Sequence, residues 1–245
     1  LELEPLGMMF ALIASFLWIV SSIYSIGYMR GKNEVHQTRF FICFAIAIGS
    51  ALFIALAGNM MALFIGYEVL SLSTYPLVAH HQNAEARKGG RIYLGYLLTT
   101  SIGLLLLGMI WTWHLTGTLE FKPGGILEGK VEEATAGILL ILYIFGIGKA
   151  ALMPFHRWLP AAMVAPTPVS ALLHAVAVVK AGVFSVLKVI VYIFGIDFLG
   201  ATEDASWLGY VAAGTLLLAS IIAMQADNLK RRLAYSTVSQ LSYVT

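Results

Sequence analysis

Charged residues and cysteine are both scarce in this chain. Only 11% of its 245 residues are Asp, Glu, Lys or Arg, whereas a typical soluble domain has about 25%. Cys43 is the single cysteine, so the chain cannot form an internal disulfide or supply the thiolates of an iron–sulfur cluster. The histidines show no zinc-site spacing, and no glycine-rich loop follows a strand pattern. We therefore predict that this chain binds no nucleotide, metal or other cofactor.

Hydrophobic residues make up 59% of the chain, and the mean hydropathy is +0.84. Apolar runs close to the roughly 20 residues needed to cross a bilayer recur throughout. They predict an all-α, polytopic transmembrane helical bundle, with about eight segments in a single membrane domain over 1–245. The segments are 6–29, 40–57, 60–79, 92–115, 134–154, 169–194, 207–224 and one that begins near 229. Because the chain starts at Leu1 and stops within a helical pattern, we expect a piece truncated at both ends.

Basic residues are distributed unequally between the loops that alternate along this pattern. One side of the bundle receives Arg30, Lys32, Arg39, Arg87, Lys88, Arg91, Arg157, Lys230, Arg231 and Arg232, and the other receives only Lys122 and Lys130. An excess of Lys and Arg marks the cytoplasmic side of a membrane protein. The loops 30–39, 81–91 and 226–233 are therefore predicted to be cytoplasmic.

The stretch 134–166 is too long to be one straight span, because it would measure about 48 Å as an α-helix. It contains Pro154, Pro160 and Pro166, and proline removes a helix donor and clashes with the preceding turn. We predict a proline-broken helix with its discontinuity just after Lys149. The alternative is a helix end followed by a re-entrant or interfacial segment. Irregular backbone at membrane depth is tolerated only where it is buried in protein or lines a water cavity.

Four charged side chains lie within apolar runs: Glu68, Lys149, Lys180 and Lys188. A charge at the bilayer centre costs about 2.5–3.5 kcal/mol on insertion scales. Glu68 is interpreted as a proton-relay carboxylate or as a group that tunes a neighbouring lysine, and the alternative is a fixed ion pair between helices. Low dielectric disfavours a charged lysine and a nearby carboxylate favours it, so a moving carboxylate would change the proton affinity of Lys149. The alternative for Lys149 is a side chain that extends to the interface.

Lys180 lies near the middle of the sixth predicted span, and His174 precedes it by six residues. At 100° per residue the two side chains are about 120° apart around a helix, so they do not share one narrow stripe. We interpret them as consecutive relay stations that border a water-filled cavity, although an isolated histidine is more often a hydrogen-bonded interior residue.

Four further residues are candidates for a hydrated path. Lys188 lies two turns beyond Lys180 and either continues the path or extends to the outer face. The last predicted helix carries hydroxyl groups that either line the path or satisfy neighbouring backbone: Ser236, Thr237 and Ser239.

Four segments resemble the antiporter-like membrane subunits shared by respiratory complex I, membrane hydrogenases and multi-subunit Mrp cation/proton antiporters. They are 146–163 (GIGKAALMPFHRWLPAAM), 165–175 (APTPVSALLHA), 229–240 (LKRRLAYSTVSQ) and the dipeptide Tyr67-Glu68 after an apolar run. The presence of both His174 and Lys180 in 174–182 (HAVAVVKAG) resembles Mrp large subunits more than the corresponding subunits of complex I. The segment 67–77 (YEVLSLSTYPL) is similar to the D-type Mrp subunit.

The resemblance implies a fold of two inverted five-helix repeats, each with a broken helix. This chain would hold half of that fold, with the first repeat at about 39–195 and the second beginning at about 207. Glu68 matches the glutamate that pairs with the broken-helix lysine, and Lys149 matches that lysine. Lys180 matches the central connecting lysine, and His174 the histidine of the same helix.

We therefore expect a bacterial inner-membrane subunit that translocates protons through Glu68, Lys149, His174 and Lys180. Its expected partners are the bilayer and other membrane subunits of an Mrp-type or complex I-type assembly, with protons and also Na⁺ as candidate ions, and no nucleic acid. The chain would have no redox centre, and membership of an NADH:quinone oxidoreductase-type translocase stays open. The alternatives are a secondary transporter of a small anionic solute, with Lys149 and Lys180 as counter-charges, and a structural or assembly subunit with frozen ion pairs.

Overall fold

The computed structural model describes residues 1–173, 177–202 and 205–244, and its regular structure is helical, as predicted. The helices of the first part are α1 (Pro5–Gly31), α2 (Gln37–Ala55), α3 (Met60–Val78), α4 (Ala84–Thr116, with a π turn at Ser101–Leu105) and α5 (Glu133–Gly146). They are followed by α6 (Trp158–Ala161), α7 (Thr167–Ala171), α8 (Val178–Lys188, continued by a π helix over Val189–Phe194), α9 (Ile196–Ala201), α10 (Trp207–Gln225) and α11 (Leu229–Val244).

Five of these helices are long and apolar enough to cross a membrane: α1, α2, α3, α4 and α10. Helix α5 is apolar but shorter. The all-α, polytopic membrane fold is thus confirmed. The number of about eight spans and the repeat boundaries, 39–195 and from 207, stay predictions. His174 lies outside the described residues.

Helices α2 and α3 form a closely packed pair within the core. Asn59 caps α3, because its Oδ1 accepts a hydrogen bond of 2.8 Å from the Ala62 N–H, which satisfies one of the free donors at a helix start. Gly66 then faces α2 so closely that an added Cβ would lie 2.8 Å from Phe53 Cδ1 and 2.9 Å from Ile54 Cγ1. The neighbouring Tyr67 is completely buried.

The broken helix is present, but it breaks before Lys149 rather than just after it. Helix α5 ends at Gly146, and Lys149 lies in a 3₁₀ turn over Gly148–Ala150. Ala151 follows in the left-handed region with φ 57°, and helical structure resumes only at Trp158. Lys149 is therefore part of the break itself.

Close contact with α4 explains why the break starts earlier than the prolines suggest. Pro154 excludes the helical hydrogen bond to the residue four positions earlier, and that residue is Ala150. An added Cβ at Gly146 would overlap the backbone of Leu105 in the π turn of α4, and one at Gly148 would overlap the Thr100 hydroxyl. The two glycines let the end of α5 lie directly on α4, upstream of the region that the prolines control.

Helix α8 packs against the opposite side of the break through Gly182. A Cβ added there would lie 2.5 Å from the carbonyl carbon of Lys149 and 2.6 Å from the Ala150 nitrogen. Because both neighbours are backbone atoms, a side chain at this position could be accommodated only if the helix or the break moved.

We predict that Gly182→Ala lowers the free energy of unfolding by about 1–3 kcal/mol, the usual cost of an overpacked interior. The matched control is Gly214→Ala in α10, where an added Cβ has no neighbour within 4 Å and where alanine favours the helix by up to about 1 kcal/mol. The measurement is the unfolding of the purified protein in mixed micelles with increasing SDS. Equal stability of the two variants would contradict the close approach at Gly182.

Candidate functional site

The amine of Lys149 is the centre of the site, and it is completely buried, with 0% of the residue exposed. Its Nζ donates to the backbone oxygen of Tyr67 at 2.8 Å and to Ser71 Oγ at 2.6 Å. The same Nζ lies 3.1 Å from the centroid of the Tyr67 ring, where the π face attracts a cation. Each of these partners is neutral, so the amine is solvated by dipoles of α3, and no carboxylate of the described residues forms an ion pair with it.

Tyr67 holds the backbone of Lys149 as well as its side chain. Its Oη accepts the Lys149 N–H at 3.0 Å, a donor that has no helical partner because α5 ends at Gly146. Nearby, Trp158 Nε1 donates to the Gly148 carbonyl at 2.8 Å. Sequence analysis missed Tyr67 and Ser71 as partners. The available signal was their spacing of four residues, which places both on one face of α3.

Glu68 lies beside this cluster without joining it. Its side chain is half-buried, and its Oε1 is buried with no hydrogen-bond partner. The carboxylate interacts electrostatically with Lys149, but the ion pairs of the described residues do not include these two groups. Glu68 follows Tyr67 directly, so it points about 100° away around α3. The predicted pair is therefore close without being in contact.

Lys188 is also completely buried, but it is paired with an acid. Its Nζ lies 3.0 Å from Oε2 of Glu4, donates to the Ala57 carbonyl at 2.7 Å, and stands 4.3 Å from the centre of the Phe121 ring. This geometry favours a fixed ion pair that joins the start of α1 to α8. Sequence analysis missed Glu4, because it precedes the first apolar run and no spacing links it to Lys188.

The remaining candidates do not gather around Lys149 in the described part of the chain. Lys180 is exposed on α8, and Ser236 is exposed on α11. The Thr237 hydroxyl donates to a carbonyl one turn earlier in its own helix at 2.8 Å. Only Ser239 is buried, and its Oγ shares a hydrogen bond of 2.8 Å with Ser220 Oγ on α10.

A second polar cluster lies on the basic side, beyond the end of α3. Oε2 of Glu34 is 3.6 Å from His81 Nδ1 and 3.9 Å from His80 Nε2, and Arg39 Nη2 donates to the His80 carbonyl at 3.1 Å. Burial lowers the pKa of His80 below its usual range, and the charges of Arg39, His81 and His36 act in the same direction, while Glu34 opposes them. His80 is therefore harder to protonate than a histidine in water.

The groups around Lys149 are suited to proton exchange rather than to holding a cofactor. They are an amine, a hydroxyl, a backbone carbonyl and a nearby carboxylate. Within the described ranges, no cluster of three or more His, Cys, Asp or Glu side chains could hold a metal ion. An amine and a carboxylate that influence each other at depth can take up and release protons.

The comparison with known families agrees with this chemistry. The family described as "NADH:quinone oxidoreductase/Mrp antiporter, TM" matches residues 57–245, which include Glu68, Lys149 and Lys180. This chain belongs to that antiporter family. The resemblance stated from the sequence is thereby confirmed.

Two bacterial relatives within the family are each 33% identical to this chain. One is the A/B subunit of a probable K(+)/H(+) antiporter of Rhizobium meliloti (strain 1021), matched over 250 residues that cover 100% of this chain and 24% of the relative. The other is the putative antiporter subunit mnhA2 of Staphylococcus haemolyticus (strain JCSC1435), with 99% and 30% covered. The chain thus spans less than a third of these relatives. Both have A-type names, and the similarity to D-type subunits stays a prediction.

Two solved structures share the fold. A chain in the structure of the Mrp complex from Dietzia sp. DQ12-45-1b superimposes with a TM-score of 0.82 at 29% identity, covering 98% of this chain and 26% of that one. A chain of the membrane-bound sulfane sulfur reductase, an archaeal respiratory membrane complex, gives a TM-score of 0.81 at 23% identity, covering 96% and 47%. The second likeness supports the fold alone.

We predict that Glu4→Gln destabilises the protein by about 3–5 kcal/mol, because it leaves the buried Lys188 charge without a counter-ion. The double variant Glu4→Gln/Lys188→Met removes both charges, so its loss should be smaller than the sum of the two single losses. SDS-induced unfolding of the wild type, Glu4→Gln, Lys188→Met and the double variant measures the stability of each. Additive losses would mean that the two charges do not stabilise each other.

We predict that stability falls as the pH is lowered through the range of histidine titration, and that His80 causes part of the fall. The pKa of His80 is lower in the folded protein than in the unfolded chain. Its contribution is therefore complete above the unfolded value and is lost as the pH falls below it. His80→Asn should flatten the dependence of melting temperature on pH between about 7.5 and 5.5. The control is His114→Asn at an exposed site, which should keep the wild-type slope.

Proposed function

We propose that this chain translocates protons across a bacterial inner membrane as an antiporter-like subunit of a multi-subunit complex. One observation carries the proposal: the Lys149 amine is completely buried, yet its hydrogen-bond acceptors are the neutral Tyr67 oxygen and Ser71 hydroxyl. In a low-dielectric site the charge of an amine is decided by the charges around it. Because no carboxylate of the described residues pairs with it, Lys149 can change its protonation state without breaking an ion pair among them.

Glu68 is the proposed control of that change. When its carboxylate is charged and close, it favours the ammonium form of Lys149, and when it is protonated or displaced, it favours release of the proton. Its unpartnered Oε1 supports this role, because a carboxylate oxygen without a fixed donor is free to exchange partners. In this mechanism a change in the charge or position of Glu68 changes the proton affinity of Lys149.

The proton leaving Lys149 would pass through His174 and Lys180, with the hydroxyl groups of α11 as further stations. Lys180 is on α8, the helix whose Gly182 touches the backbone of Lys149. Ser239 lies in the buried face of α11, whereas Ser236 is exposed and Thr237 is partly exposed. The path therefore runs from the break across α8 towards α11. Lys188, which is paired with Glu4, is given a structural role here.

The proposed orientation places the loops 30–39, 81–91 and 226–233 in the cytoplasm, since these loops contain most of the basic residues. The proposed partners are further membrane subunits, and two forms of coupling are compatible with the site. One is exchange against Na⁺ or another cation, in line with the antiporter names of the relatives. The other is redox work in partner subunits, as in an NADH:quinone oxidoreductase-type translocase.

The site favours this function over both alternatives. A transporter of a small anion would need space next to its lysine, but the Lys149 amine is fully enclosed and already hydrogen-bonded to α3. A structural subunit with frozen ion pairs would be expected to pair its buried lysines with acids. Lys188 fits that description and Lys149 does not.

The decisive test is Lys149→Arg in the full-length protein within its assembled complex. Arginine keeps the positive charge but is not deprotonated in proteins. A relay therefore loses at least about tenfold in proton transport, whereas a counter-charge or structural lysine would tolerate the substitution. Transport is measured as acidification of inverted membrane vesicles, with assembly checked on a native gel of the same samples.

Lys188→Arg is the matched control, because it is an equally buried lysine on the neighbouring element, and its charge can still pair with Glu4. We expect transport per assembled complex to stay near the wild-type value. Full transport by Lys149→Arg would refute the relay, and loss of transport by Lys188→Arg in an intact complex would place Lys188 on the path.

A further inference from the structure

A groove with two distinct limbs lies between α4, the broken segment and α11. The first limb has a volume of about 390 Å³ and is mostly apolar, with Gly95, Thr99 and Phe155 in its wall. The second limb has a volume of about 540 Å³ and is more polar. Ile92 and Tyr96 line both limbs, so the two form one continuous amphipathic groove.

The polar limb has a positive charge. Arg157 from the broken segment and Arg231 from α11 line it, together with the buried Tyr235. Arg91 lines the adjoining limb. None of the described residues that line either limb is acidic. The exposed arginines therefore present their charge to whatever occupies the groove.

We propose that this groove binds an anionic phospholipid, with its phosphate at Arg157 and Arg231 and an acyl chain in the apolar limb. Guanidinium groups match phosphate oxygens in charge and geometry, and basic pockets between transmembrane helices on the cytoplasmic side suit anionic head groups. A free phosphate would leave the apolar limb unused, and a neutral lipid would leave the two arginine charges unused. Only a molecule with both an anionic head and a long chain uses both limbs.

The position of the groove connects the lipid to the transport site. Pro160 and Ala161 line the polar limb and belong to the short helix α6. Trp158, in the same helix, donates a hydrogen bond to Gly148, the residue before Lys149. A lipid in the groove would therefore support the segment that holds the break in place. This inference concerns binding, and it does not depend on the proposed proton relay.

The test measures lipid binding to the full-length protein in its assembled complex after detergent delipidation. Phosphatidylglycerol is titrated into the wild type and into Arg157→Ala/Arg231→Ala, and bound lipid is counted by native mass spectrometry. At about fivefold per arginine near a membrane surface, we expect binding at this site to weaken by about 25-fold in the double variant. Lys88→Ala removes an exposed charge from the same basic side without touching the groove and should bind like the wild type.

A second variant tests the acyl limb without changing any charge. Gly95→Trp places a large side chain in open space, because an added Cβ at Gly95 has no neighbour within 4 Å. It should weaken phosphatidylglycerol binding by at least about tenfold, with normal assembly on a native gel. The proposal is overturned if either variant retains the lipid like the wild type, or if phosphatidylethanolamine binds equally well. It is also overturned if millimolar inorganic phosphate displaces the lipid, since that would show a site for free phosphate.

Discussion

Solvation of one buried amine is the constraint on which the centre of this structure depends. A lysine at this depth must find hydrogen-bond acceptors inside the protein, because the surroundings supply none. Tyr67 provides a backbone oxygen and an aromatic face for the Lys149 amine, and its hydroxyl accepts the Lys149 backbone N–H. Tyr67 therefore contacts both the amine and the backbone of Lys149, and Ser71 supplies a further acceptor for the amine.

The two buried lysines, Lys149 and Lys188, differ in the groups that solvate their charges. Lys188 is held by an ion pair with Glu4 and by a hydrogen bond to a carbonyl. The Lys149 amine is hydrogen-bonded to neutral oxygens of Tyr67 and Ser71. Glu68 influences it electrostatically without forming an ion pair with it. In the sequence the two lysines look alike, because each is a charge within an apolar run. Their contacts separate them, because Lys188 has a carboxylate partner and the hydrogen-bond acceptors of Lys149 are neutral.

The class of fold could be predicted from composition, hydropathy and proline spacing. The buried charged residues could be predicted because each is a charge within an apolar run. Sequence reasoning placed the break too late, because prolines mark where a helix cannot continue, whereas Gly146 and Gly148 allow it to end sooner by contact with α4. It could not find Tyr67 as the partner of Lys149, because 82 residues separate them and only the folded chain brings them together. The four-residue spacing of Tyr67 and Ser71 places them on one face of α3, but it does not indicate which distant residue that face contacts.

The π turn at Ser101–Leu105 changes which residues of α4 lie along one face of the helix. Gly89 lies against the Ala161 carbonyl of α6, and Gly108 lies against Leu142 of α5. In a regular α-helix these two glycines would point about 100° apart, and the one extra residue of a π turn removes about that difference. Both glycines therefore come onto a single line. The same face of α4 thus meets both halves of the broken helix, with a glycine at each contact, and it aligns two segments that are not joined as one continuous helix.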